Sequence, residues 1–240
     1  KMKIKNSIIV IKRRGWVSFF YSLANYTKFI FNKFILKNNY LKKNIYNFKM
    51  LLNIKDRGLS RTLMLFGERE MDHKIILEKT LKKNMQVLDI GANIGYYVLI
   101  ERNLIGEKGK IVAVEPVDEN IELLKKNLQL NKEKSTIVIK GAVSNNNSYN
   151  KFYTSEHFNL GTFHYEGSSE KLLNNKKSIK VKTFKLIDIC LKEGFPDLIR
   201  MDVEGHETKI LENLFLNYKK FKKLPKICFE THISKYNKKI

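Results

Sequence analysis

Val87-Leu88-Asp89-Ile90-Gly91-Ala92-Asn93-Ile94-Gly95-Tyr96-Tyr97 decides the fold of this 240-residue chain. Val87, Leu88 and Ile90 form a short apolar run, the pattern of a strand buried on both faces of a parallel sheet. Gly91 follows at once, where the chain must turn sharply and admit a ligand close to its backbone. Gly95 stands at the start of the next segment, where a missing Cβ lets a helix pack tightly against the strand. Apolar residues then continue through Tyr97, Val98 and Ile100 to Leu104. Strand, glycine turn and helix start in that order open a nucleotide-binding βαβ unit.

The glycines also discriminate between nucleotides. A dinucleotide fingerprint reads G-x-G-x-x-G, and Asn93 stands where its second glycine would let the backbone reach a pyrophosphate. The carboxylate of Asp89 would repel a pyrophosphate as well. It suits a ligand carrying an ammonium and a sulfonium, as S-adenosylmethionine does. The next strand, Lys110–Glu115, ends in a carboxylate followed by Pro116. Glu115 lies about 20 residues beyond the loop, the separation at which an acidic residue accepts the ribose hydroxyls.

Outward from this core the pattern alternates strand and helix. A helix is expected over 71–81, a strand over 85–90, a helix over 94–105 and a strand over 110–115. A helix over 118–130 follows, with Asp118 as its N-cap. Strands are expected at 135–140, 197–203 and 225–231, and helices at 186–192 and 207–215. Asn145-Asn146-Asn147 marks a turn. Residues 151–184 read as an insertion with strands at 151–154 and 179–184, and Gly161, Gly167, Ser168 and Ser169 between them suggest a mobile stretch. This βαβαβ succession predicts an open parallel sheet with ligands at the carboxyl ends of its strands.

Four segments resemble the FkbM family of S-adenosylmethionine-dependent methyltransferases: VLDIGANIGYY (87–97), VEPVDENIELLKKN (114–127), LIRMDVEGHETKIL (198–211) and the strand end Glu230-Thr231-His232. Asp56–Arg61 and Phe66–Glu70 extend the likeness upstream, so that it covers roughly residues 55–232. The Asp202-Val203-Glu204-Gly205-His206-Glu207 core is the family-specific part. The resemblance implies a Rossmann-like class I methyltransferase fold, with a mainly parallel sheet and helices on both faces. It implies S-adenosylmethionine as cofactor, held by Asp89, Gly91, Ala92, Asn93, Gly95, Glu115, Pro116, Ala142 and Val143. A full sheet of this class has two further strands after the fifth, so the chain reads as truncated there. The domain division is then a basic, aromatic-rich helical extension over 1–54 and the catalytic domain over 55–240.

The strand end at Asp202 is dense in ionisable groups. Methyl transfer from a sulfonium needs alignment and exclusion of water, and a hydroxyl acceptor must also lose its proton. Asp202 is a candidate to hold the methionine ammonium or orient the acceptor. His206 is the candidate general base, with Glu204 aligning it. Glu230 and His232 share one face of their strand and could join Asp202 around the acceptor or a divalent cation. His157 and His164 lack ligand spacing. The three prolines, Pro116, Pro196 and Pro225, exclude the polar-Pro-Pro-aromatic strand end that resembles amino-group methylation of bases. Neither cysteine stands in the proline-cysteine context of cytosine C5 methylation. An oxygen acceptor follows: a hydroxyl on a glycan, a lipid-linked sugar or a small metabolite, with an RNA ribose hydroxyl as the alternative.

Lys and Arg number 46 against 24 Asp and Glu, a formal charge of +22. Such a balance points to a polyanionic partner, nucleic acid or anionic membrane, or to drift toward Lys, Asn and Ile. The basic residues are mostly Lys and scattered, which favours drift over phosphate recognition. Cys190 and Cys228 lie in apolar runs, as buried free thiols in a reducing compartment do. Trp16, Phe19, Phe20, Leu23, Ile30 and Phe34 recur at helical spacing, interrupted by Lys28 and Lys33, so the segment is not a spanning helix. It reads as a helix packed on the catalytic domain or one lying on a membrane surface. A binding module without activity at such a surface is the third reading.

Overall fold

A computed structural model describes residues 4–154, 161–163 and 177–230. The chain divides into two compact units, Lys1–Met71 and Asp72–Ile240.

The first unit holds α1 (Ile4–Ile30), β1 (Tyr40–Ile45), β2 (Phe48–Asn53) and α2 (Leu59–Phe66). Gly15 breaks α1 with a non-helical backbone. The helical expectation for 1–54 holds for α1 and fails for the hairpin. β1 and β2 pair antiparallel, with Ile45 opposite Phe48. Alternation buries Ile45, Phe48, Met50 and Leu52 while Lys49 faces outward. The turn is Tyr46-Asn47, with Tyr46 at φ 51°. It therefore lacks the Asn-Gly or Asp-Gly signature by which such hairpins are read. The Asp56-Arg57-Gly58-Leu59-Ser60 stretch has a local reason. Buried Asp56 accepts from the backbone N–H of Gly58 and of Ser60, both at 2.7 Å, which satisfies the first turn of α2.

In the second unit, α3 (Met71–Thr80) leads into β3 (Gln86–Ile90), α4 (Tyr96–Ile105), β4 (Lys110–Glu115), α5 (Asp118–Leu130) and β5 (Ile137–Lys140). Next come β6 (Ala142–Ser144), β7 (Ser148–Thr154), β8 (Gly161–Thr162), β9 (Lys177–Lys185) and α6 (Leu186–Glu193). β10 (Leu198–Met201), α7 (Glu207–Leu216) and β11 (Lys226–Phe229) complete the described elements. The five-stranded sheet runs β11-β10-β3-β4-β5, all parallel. In chain order of its own strands this is 3-2-1-4-5, the doubly wound arrangement whose crevice opens where the order reverses, between β3 and β10. Leu88, Ile90, Val112, Val114, Ile199 and Met201 give that sheet one apolar face, packed against α6 and α7.

One local expectation changes and another gains a partner. Asp118 is the first helical residue of α5, not its cap. Val117 occupies the cap position, and Asp118 pairs with Lys140 across 2.6 Å. Its charge still suits the positive end of the helix. The 151–184 insertion carries its two expected strands, within β7 and β9. Its strands β7, β8 and β9 join β6 in a second sheet, with β6 and β9 parallel and β7 antiparallel to both β8 and β9. His157, His164, Gly167, Ser168 and Ser169 lie outside the described residues, as does His232.

Candidate active site

A cavity opens at the carboxyl ends of β3, β4 and β10. Its floor is the turn after β3. The N–H groups of Gly91 and Ala92 both donate to the carbonyl of Val114, at 2.9 and 3.1 Å, which draws the turn over β4. Gly91 has φ 83°, and a Cβ built on it would sit 2.2 Å from the carbonyl oxygen of Asp202. The close approach required of this glycine is thus to the neighbouring strand end. Gly95, at φ 88°, faces Leu124 of α5, 2.5 Å from where its Cβ would be. Its missing side chain admits a helix onto the loop, not onto the strand.

Glu115 organises the next wall. It is 4 % exposed. Its Oε2 accepts from the Asn93 N–H at 2.9 Å. Its Oε1 accepts from the Val117 N–H at 3.1 Å and from Asn120 Nδ2 at 2.9 Å. Asn93 reaches this position with φ 51°, which asparagine tolerates better than most residues. A carboxylate offers about four acceptor positions, so three are used within the protein and one remains at Oε2. Burial pushes the Glu115 carboxyl up to about 7, against the opposing pull of these hydrogen bonds.

The third wall is the turn after β10. The Asp202 N–H continues the parallel ladder to the Ile90 carbonyl at 3.0 Å. Glu204 and Gly205 both take positive φ, 52° and 97°, which carries the chain back toward the cavity before α7 begins. Glu207 is fully buried and accepts from the Gly205 N–H at 3.3 Å, so it braces this turn. His206 is buried beside the Phe163 ring, 4.6 Å between centroids. Its Nε2 and Ser144 Oγ share a hydrogen bond of 3.0 Å whose direction follows the imidazole tautomer.

Behind the turns lies a buried charge cluster. Arg200, 2 % exposed, donates from one guanidinium nitrogen to Asp89 Oδ1 at 2.8 Å and from the other to Asp202 Oδ2 at 3.4 Å. Its guanidinium stacks 3.8 Å above the Tyr97 ring. Burial pushes the Asp89 carboxyl up, against the attraction of Arg200. Burial and then the Asp89 charge push Glu101 well up, which favours its neutral acid. Neither Glu101 oxygen has a hydrogen-bond partner among the described residues.

Nine of the residues expected at the site line this cavity. Gly91, Asn93, Glu115 and Pro116 come from the first two strand ends, and Ala142 and Val143 from β6. Asp202, Glu204 and His206 come from the third strand end. Ala92 and Gly95 support the loop from behind, and half-buried Glu230 does not reach the lining. Asp89 is the correction. Side chains alternate across a strand, so Asp89 faces away from the Leu88 and Ile90 side and is fully buried under Arg200. It does not line the cavity. Arg200, Ser144 and Asn120 were not foreseen. A signal existed only for Arg200, a lone cation in the apolar run Leu198–Met201, two residues from Asp202 and therefore on its face of the strand.

The Methyltransferase FkbM domain, as a family model, matches residues 89–239. The chain is 33% identical over 61 residues to protein-L-isoaspartate O-methyltransferase 1 of Archaeoglobus fulgidus, covering 25% of the chain and 28% of that protein. It is 29% identical over 126 residues to the probable cobalt-precorrin-6B C(15)-methyltransferase (decarboxylating) of Sulfurisphaera tokodaii, covering 52% and 64%. The match thus spans less than a third of the first relative and under two thirds of the second. Among solved structures, the SAM-dependent methyltransferase from Agrobacterium tumefaciens overlaps 69% of this chain and 40% of its own, at 12% identity and a TM-score of 0.39. The family match takes in the glycine loop, Glu115 and the Asp202–Glu207 turn, the three walls of the cavity, and the chain belongs to the FkbM methyltransferase domain family.

Proposed function

We propose that this chain is an S-adenosylmethionine-dependent methyltransferase acting on a hydroxyl of a glycan, a lipid-linked sugar or a small metabolite. The observation that carries the reading is one cavity containing Gly91, Glu115, Asp202 and His206. The residues fit the cofactor's groups. The acceptor position left on Glu115 Oε2 suits one ribose hydroxyl rather than two. Pro116, Ala142 and Val143 offer an apolar wall to a flat heterocycle. Asp202, held by Arg200 and open to the cavity, takes the ammonium in place of Asp89.

The cofactor supplies a methyl group on a sulfonium, a good leaving group. The protein's share is alignment, exclusion of water and removal of the acceptor proton. His206 is the base in this reading, its Nε2 taking the acceptor's proton by way of the Ser144 hydroxyl bonded to it. Ser144 orients its ring, and Phe163 shields it from water. Glu204 lines the same wall and can bind the acceptor's other hydroxyls. The two curated relatives bear names for O- and C-methylation, so the choice of oxygen rests on this chain's own residues: a histidine base, and neither a nucleophilic Pro-Cys cysteine nor a Pro-Pro strand end.

Calorimetric titration with S-adenosylmethionine and with NAD tests the cofactor. Binding of the first alone is expected, and binding of NAD alone would refute the reading. Incubation with cofactor labelled on its methyl and fractionated host extract tests the acceptor. Label is expected in polysaccharide, lipid or small-molecule fractions, and label confined to RNA or protein would refute that part.

A further inference from the structure

The first unit carries an aromatic surface that its own fold does not use. In α1 and the helical turn Phe31–Ile35 that continues it, Ser22 and Phe29 are buried. Asn25 Nδ2 on this side donates to the Leu65 carbonyl of α2 at 3.0 Å, and Arg61 stacks on Phe29. This is the face the unit packs. Trp16, Phe20, Leu23, Phe31 and Phe34 recur three, four or eight residues apart and share the opposite face. Trp16 is 63% exposed, and Phe20 and Phe34 are each 60% exposed. Val17, Ile35 and Leu36 are exposed beside them. Lys12, Lys28, Lys33 and Lys37 are also exposed along this segment, and the first acidic residue of the chain is Asp56.

We propose that this stripe lies on an anionic lipid surface. Its aromatic and aliphatic side chains enter the boundary between headgroups and acyl chains, and its lysines meet the lipid phosphates. A segment with no acidic residue and an apolar face broken only at Thr27 has the chemistry of an interfacial helix. Nucleic acid offers the lysines the same charge, but it gives Val17, Leu23, Ile35 and Leu36 nothing apolar to enter, whereas acyl chains accept all four. No described helix is long and apolar enough to cross a membrane, so the segment lies on the surface.

Trp16 is the only tryptophan of the chain and reports on the stripe directly. The full chain is mixed with phosphatidylcholine vesicles, with and without phosphatidylglycerol. A blue shift of Trp16 emission, quenching by brominated acyl chains, and flotation are expected only with phosphatidylglycerol present. Added salt should weaken all three. Phe20→Ala/Phe34→Ala keeps Trp16 and alters only exposed side chains, so its circular dichroism should match the parent. It should lose about 10- to 100-fold in vesicle affinity. No shift with either vesicle, or a shift unchanged in the double variant, overturns the proposal. A shift produced by RNA and not by vesicles assigns the surface to nucleic acid instead. A shift that grows with protein concentration alone, with doubled mass, assigns it to a second copy.

Discussion

Replacing Gly91 and Gly95 separately by alanine tests how the glycine loop works. Both residues hold positive φ, 83° and 88°, so both alanines carry a backbone penalty of roughly 1–2 kcal/mol. The difference lies in what the new methyl meets. At Gly95 it meets the Cδ1 of Leu124, the far end of a side chain that can turn away. At Gly91 it comes 2.2 Å from the Asp202 carbonyl oxygen, on backbone tied to Ile90 by a ladder bond of 3.0 Å. The strand ends must part there, at about 1–3 kcal/mol more, as overpacked interiors do. Gly91→Ala should therefore cost about 2–5 kcal/mol in all and lower the melting temperature by roughly 10 °C, while Gly95→Ala costs less. Because Asp202 moves with the strand, Gly91→Ala should also abolish binding of S-adenosylmethionine in calorimetry, and Gly95→Ala should retain part of it. Equal melting temperatures with parental affinity in both variants would refute the close approach of β3 and β10 as the reason for Gly91.

The Glu115 carboxyl, raised to about 7 from an ordinary value near 4.5, contributes its stability below about pH 4.5 and loses it as pH rises through about 7. Glu115→Gln should remove about 3 kcal/mol of that decline, read as the difference between urea unfolding at pH 5 and pH 8; an unaltered decline would place the titration elsewhere. Arg200→Leu strands the buried charge of Asp89 and should destabilise by about 3–5 kcal/mol, and adding Asp89→Leu should restore part of it in a double-mutant cycle. Strictly additive losses would show that the pair does not interact. His206→Ala should spare cofactor affinity and lower methyl incorporation by about 10²–10⁴-fold, with Ser144→Ala intermediate; unchanged incorporation would remove His206 as the base.

Much of the cavity is legible in the sequence. Strand and helix periodicities placed β3 to β5, β10 and β11 within a few residues, because a parallel sheet buried on both faces writes itself as apolar runs closed by glycines and acids. The same reading lost β1 and β2, whose turn lacks glycine, and mistook Val117's cap position for Asp118. It found strands within β7 and β9 but not the pairing of β9 with β6, because sheet partners distant in sequence leave no mark on either strand.

The chain's order of residues by itself determined the three strand ends, the turn at Gly91, and the acidic and histidine groups beside the cavity. Those are local facts, carried by residue type and spacing. Only the tertiary structure decided which groups meet. Pleating turned Asp89 inward beneath Arg200 while Asp202, on the adjacent strand, opened to the cavity. The N–H groups of Asn93 and Val117 and the Asn120 amide took three of the four acceptor positions on Glu115. Ser144, more than sixty residues earlier, came to His206 through β6. Pairing across strands is a property of the assembled sheet, and no single segment encodes which of its two faces will find a partner.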